Sequence, residues 1–64
     1  MIKFERMENT HLDDNGEEYQ GIDIIMKTTH EERWICECGN WNDEQAHIYA
    51  DLILNALEEK LGEF

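Results

Sequence analysis

The chain has 64 residues, of which sixteen are acidic and five are Lys or Arg, a formal charge of −11 at neutral pH. A chain this short makes one domain, residues 1–64, near the lower limit for folding on a single core, so a second subunit, disulfides or a metal is expected to help. Acid spread along the whole sequence disfavours direct binding to nucleic acid or to an anionic membrane surface and favours a basic partner; the alternative is that it serves solubility alone.

Residues 1–8 alternate, with Ile2 and Phe4 on one face and Lys3 and Glu5 on the other, which predicts a short edge strand. Residues 9–18 are polar apart from Leu12 and read as a loop. Within them Asn15-Gly16 is a turn signal able to close a hairpin. Residues 20–28 set Ile22, Ile24 and Met26 on one face, a second strand. A polar connection over 29–32 leads to a third strand, residues 33–38, with Trp34, Cys36 and Cys38 expected on the core face. Gly39-Asn40 ends it.

Residues 42–61 carry the strongest signal, a long helix without Gly or Pro. Asn42 and Gln45 have capping-box spacing, Asp43 and Glu44 suit a helix N-terminus, and Gly62 is placed as a C-terminal cap. Trp41, just before the helix, reads as a staple against Ala46 ahead of a binding anchor. At ~100° per residue, Ala46, Ala50, Ile53 and Leu57 centre an apolar face. Leu54 and Leu61 flank it on one side; Tyr49, Leu52 and Ala56 flank it on the other. The expected fold is α+β: a three-stranded antiparallel meander followed by one long C-terminal helix.

The apolar arc, about 200° wide, is broader than the ~100° stripe one supporting surface covers. A homodimer seamed by antiparallel helices is therefore expected, drawn from Tyr49, Leu52, Leu54, Ala56 and Leu61. Either Leu54 and Leu61 or Tyr49, Leu52 and Ala56 would be the side left open.

The residues that carry chemistry favour a non-enzymatic protein. Cys36 and Cys38 are separated by one residue, a spacing that suits neither a disulfide within a strand nor paired zinc ligands, and they read as core cysteines. A zinc-stabilised module is the lesser alternative. His11-x-Asp13-x-Asn15-Gly16 lacks the first Asp and the twelfth-position Glu of a calcium loop. The chain contains no serine, and its adjacent glutamates diverge instead of converging on a substrate. No metal or cofactor is expected. Without an apolar run of membrane-span length or a signal-peptide pattern, a cytoplasmic location is expected.

Ile35 and Cys36 followed by Glu44, Ala46, Ile48, Ala50, Ile53, Leu54, Ala56, Leu57 and Glu58 resemble a strand–helix junction of small phage and prophage proteins. The likeness covers less than half of the chain. It implies a class in which small acidic proteins sequester host proteins such as restriction enzymes and CRISPR effectors. The expected function is accordingly a phage or mobile-element inhibitor, a DNA mimic on a basic nucleic-acid-binding surface of a host protein. Asp13, Asp14, Glu17 and Glu18, with Glu31 and Glu32, would stand in for phosphates. A structural or regulatory homo-oligomer is the alternative.

Overall fold

A computed structural model describes residues 2–61; the expected C-cap at Gly62 and the first residue of the predicted strand lie outside them. Strands β1 (Lys3–Leu12), β2 (Glu18–Lys27) and β3 (Glu32–Asn40) form one antiparallel sheet in the order β1-β2-β3, followed by helix α1 (Glu44–Leu61). This is the α+β meander and helix that the periodicities predict.

The first hairpin is closed by Asp13. Its carboxylate accepts the Asn15 and Glu17 amides at 2.8 and 2.9 Å, while its own amide donates to the Glu17 carbonyl. Gly16 takes φ +81° there, a backbone region that side chains disfavour. The tight loop lets β1 run on through Asn9 to Leu12, which the sequence reading assigned to the loop. Those residues lack apolar alternation because their partners are polar: Thr10 accepts a hydrogen bond from Gln20, and Asn9 and His11 reach Asp23.

On β2, Ile22 and Ile24 are fully buried beneath Ala46 and Ala50 of the helix, joined at the margins by Cys36, Cys38, Ile53, Leu54 and Leu57. Burying each large side chain contributes about 1.5–3 kcal/mol. Small alanines at the centre let the helix sit close to the sheet. At Gly39 a Cβ would stand 3.0 Å from the Ala46 methyl, and its φ of +134° belongs to glycine.

β3 departs from the expected alternation. The register with β2 breaks between Ile22 and Asp23 and again between Ile24 and Ile25, so Cys36 opposes Ile24 while Trp34 opposes Ile25. Each bulge inserts a residue and slips the pleat by one. Cys36 and Cys38 keep to the helix side, but Trp34 turns to the open face and is 59 % exposed. The expectation that Trp34 is core is thereby corrected.

The helix cap is also shifted by one residue. A turn from the Asn40 carbonyl to the Asp43 amide uses up Asn42, and Asp43 caps the helix by accepting the Gln45 amide at 2.9 Å. One flank of the helix is tied to β1 by Arg6, which donates to Asp51 at 2.7 Å and to His47 Nδ1 at 2.8 Å. Guanidinium only donates and carbonyl only accepts, so His47 accepts at Nδ1 and donates from Nε2 to the Trp41 carbonyl, 2.7 Å away.

Candidate protein-interaction surface

The meander separates the acids that the sequence reading grouped together. Asp13, Asp14, Glu17 and Glu18 occupy the β1–β2 loop, whereas Glu31 and Glu32 lie at the β2–β3 connection. A ten-residue strand spans about 30 Å, so the two sets stand at opposite ends of the sheet. At the β2–β3 connection the acids are paired. Lys27 lies 2.9 Å from Glu5 and 3.9 Å from Glu32, and Arg33 lies 3.1 Å from Glu31. The hydrogen bond between Lys27 and Glu5 holds the glutamate below the usual carboxylate range and raises the ammonium.

The hairpin end is different. Asn40, the last residue of β3, opposes Gly21, and the Trp41 amide continues the ladder by donating to the Gln20 carbonyl at 2.7 Å. The start of the helix therefore lies beside the first hairpin. Asp43 and Glu44 join Asp13, Asp14, Glu17 and Glu18 there, and none of the six forms an ion pair among the described residues. Sequence reading saw Asp43 and Glu44 only as helix-end charges. The signal that places them with the loop is topological: a meander brings the end of its third strand back to its first turn.

Next to this acidic end runs an apolar ridge. Ile48, Tyr49, Leu52 and Ala56 are exposed along one face of α1, Leu52 by 62 %. The ridge lies roughly 120° round the axis from the His47–Asp51 flank bonded to Arg6, on the side away from β1. Leu54 instead packs on the core, and Leu61, on the same flank, is 46 % exposed. Of the two sides weighed for a helix seam, the structure opens that of Tyr49, Leu52 and Ala56. Trp41 stands exposed at the head of the helix, its ring edge-on to His47 with centroids 4.7 Å apart.

The open sheet face holds a polar network that sequence reading missed. Asp23, 1 % exposed, accepts from Asn9 at 2.7 Å and from His11 Nε2 at 3.0 Å. The His11 ring stacks on Tyr19, and its Nδ1 lies 3.9 Å from Glu37. Tyr19 donates to Glu37 at 2.7 Å, which pushes the phenol above its ordinary range. Gly21 makes room for the cluster: a Cβ there would meet His11 at 2.6 Å and Glu37 at 2.8 Å. The visible signal was Asn9 and His11 two apart on one strand, facing an Asp on the next. It becomes readable only once the loop has fixed the register.

The two cysteines are free thiols at the edge of the core. Burial, reinforced by the neighbouring Cys36, pushes Cys38 up to about 11. At pH 8 about a thousandth of it is thiolate, against roughly a tenth for an ordinary thiol near 9. Because a more basic thiolate is also the better nucleophile, alkylation of Cys38 by iodoacetamide should be about tenfold slower in the native chain than in denaturant, followed by peptide mass spectrometry. Equal rates in the two would refute this account of its environment.

Among the described residues no three His, Cys, Asp or Glu side chains come together in a way that would hold a metal ion. No helix there is long and apolar enough to cross a membrane. A shallow, open depression of about 200 Å³ is lined by Lys3, Lys27, Thr28 and Thr29, at the β2–β3 end of the sheet. Comparison with protein families, curated proteins and solved structures finds no match.

Proposed function

We propose that the protein is a non-enzymatic inhibitor that docks its acidic end on a basic, nucleic-acid-binding surface of another protein and blocks it. The observation that carries this reading is the asymmetry of compensation. Acids at the β2–β3 connection are matched by Lys27 and Arg33, while those at the hairpin and helix start are unmatched. Glu8, Glu58 and Glu59 are also unpaired among the described residues, but six unpaired acids gather at this one end, which solubility alone does not require. Carboxylates of Asp14, Glu17, Glu18 and Glu44 present the charge that a phosphate backbone would. The exposed ridge of Ile48, Tyr49 and Leu52, beginning one turn beyond Glu44, supplies apolar area beside it. Charged rim next to apolar centre is the usual anatomy of a specific interface. A phage or mobile-element origin, with a host defence nuclease as target, is the setting such a protein fits.

The test is capture from bacterial lysate on immobilised protein, with elution by duplex DNA. Partners that bind nucleic acid and leave the resin when DNA is added support the proposal. Capture should also fall steeply between about 50 and about 500 mM salt, as for displaced phosphate contacts. Partners without a basic surface, or capture indifferent to both DNA and salt, would overturn it.

A further inference from the structure

We propose that a second copy of this chain pairs antiparallel with the outer edge of β1, making a continuous six-stranded sheet with the two-fold axis at Met7. The two sheet edges are unlike. β3 is interrupted by two register breaks, and bulges blunt an edge against pairing. β1 keeps unbroken register with β2 over all ten residues and contains no proline. Its outer side is an open row of main-chain donors and acceptors.

Which residues face outward follows from the hairpin. The Asp13 amide bonds the Glu17 carbonyl directly opposite, which makes that a hydrogen-bonded pair. Alternation then turns the odd-numbered residues of β1 toward β2. The amides and carbonyls of Phe4, Arg6, Glu8 and Thr10 point outward. Opposed residues in a sheet share a face, so a two-fold axis must pass through a residue and not between two.

Charge then selects the residue. An axis at Arg6 sets Arg6 against Arg6, and an axis at Glu8 sets Glu8 against Glu8. An axis at Met7 sets Arg6 opposite Glu8 of the second copy, twice, and Phe4 opposite Thr10. All four outward residues find a main-chain partner, and like charges directly opposed are avoided. Lys3, which forms no ion pair among the described residues, falls opposite His11 and diagonal to Asp13 of the second copy. Charges on an edge ordinarily blunt it; these are complementary to their own two-fold copy.

The arrangement also fits in space and charge. Both helices lie on one face, separated by three strand spacings, about 14 Å. That exceeds the ~10–12 Å diameter of a helix, so they do not collide. Because the strands are antiparallel, the two acidic ends stand at opposite extremities of the sheet. Repulsion between subunits of −11 each is thus as small as the shape permits, and the helix ridges, turned away from β1, stay open.

The test is light scattering and directed cross-linking. At about 100 μM and moderate salt, a mass of 2 × 7.6 = 15.2 kDa is expected. Glu8→Arg and Thr10→Pro should each weaken the dimer at least about tenfold; the second removes an outward amide and leaves the β1–β2 ladder intact. Circular dichroism verifies that both variants fold. Met7→Cys should oxidise to a disulfide-linked dimer through position 7, since opposed residues at a two-fold lie within disulfide reach. Glu5→Cys, opposite Asn9 of the second copy, should not. A monomeric wild type overturns the proposal. So does a dimer that Leu52→Glu abolishes while Glu8→Arg and Thr10→Pro leave it unchanged, which would place the seam on the helices.

Discussion

His11→Leu is expected to destabilise the protein by about 2–4 kcal/mol, because it leaves the buried Asp23 carboxylate with a single donor, Asn9. A domain of this length holds roughly 3–10 kcal/mol in all, so the variant should sit at the edge of unfolding. The size of the effect comes from what remains behind and not from the lost bond. An intact hydrogen bond contributes about 1 kcal/mol net, whereas an ion left buried without its partner costs several. The double variant Asp23→Val with His11→Leu removes the charge as well and should recover most of the loss, since β-branched valine suits a strand position. Urea titration of the three proteins by circular dichroism is the measurement. A single variant within about 0.5 kcal/mol of the wild type would mean that water reaches Asp23 freely. A double variant no better than the single one would mean that the network carries stability beyond its charge.

That network also marks where the sequence stopped being legible. The helix and β2 are visible because each buries a face of its own in a fixed period: Ala46, Ala50, Ile53 and Leu57 on one, Ile22 and Ile24 on the other. The second half of β1 has no such period. Asn9, Thr10 and His11 are turn and loop residues by propensity, and it is their partners across the hairpin that make them strand. Tertiary contact overrides propensity there. In β3 the period was present but misleading, since Trp34 and Cys36 have core spacing in the sequence and lie on different faces once Ile35 is taken up by a bulge. The acidic site failed for a third reason. Acids of successive polar connections were read as one set with Glu31 and Glu32, and chain reversal at each turn puts alternate loops at opposite ends. The breadth of the apolar arc on the helix was readable throughout, and the structure shows which part of it the sheet leaves uncovered: Tyr49, Leu52 and Ala56, together with Ile48.

Placement of charge, and not its total, should decide partner binding. In one variant Asp14→Asn, Glu17→Gln, Glu18→Gln and Glu44→Gln remove four charges from the acidic end; Asp13 and Asp43 are kept because their carboxylates hold the loop and the cap. In the other, Glu31→Gln, Glu32→Gln, Glu58→Gln and Glu59→Gln remove four charges elsewhere. Both proteins have the same net charge, −11 + 4 = −7. All eight positions are exposed, where substitutions rarely move stability by more than about 0.5 kcal/mol. A screened field acts over about 8–10 Å at ordinary salt, while Glu58 stands about 21 Å along the helix from Glu44. The first variant should therefore lose about 10- to 100-fold in affinity for a captured basic partner, mostly through its association rate, and the second less than about threefold. Surface-binding kinetics at two salt concentrations read both effects. Equal losses in the two variants would reduce the acid to a solubilising coat, and a larger loss in the second would move the docking surface to the opposite end of the sheet.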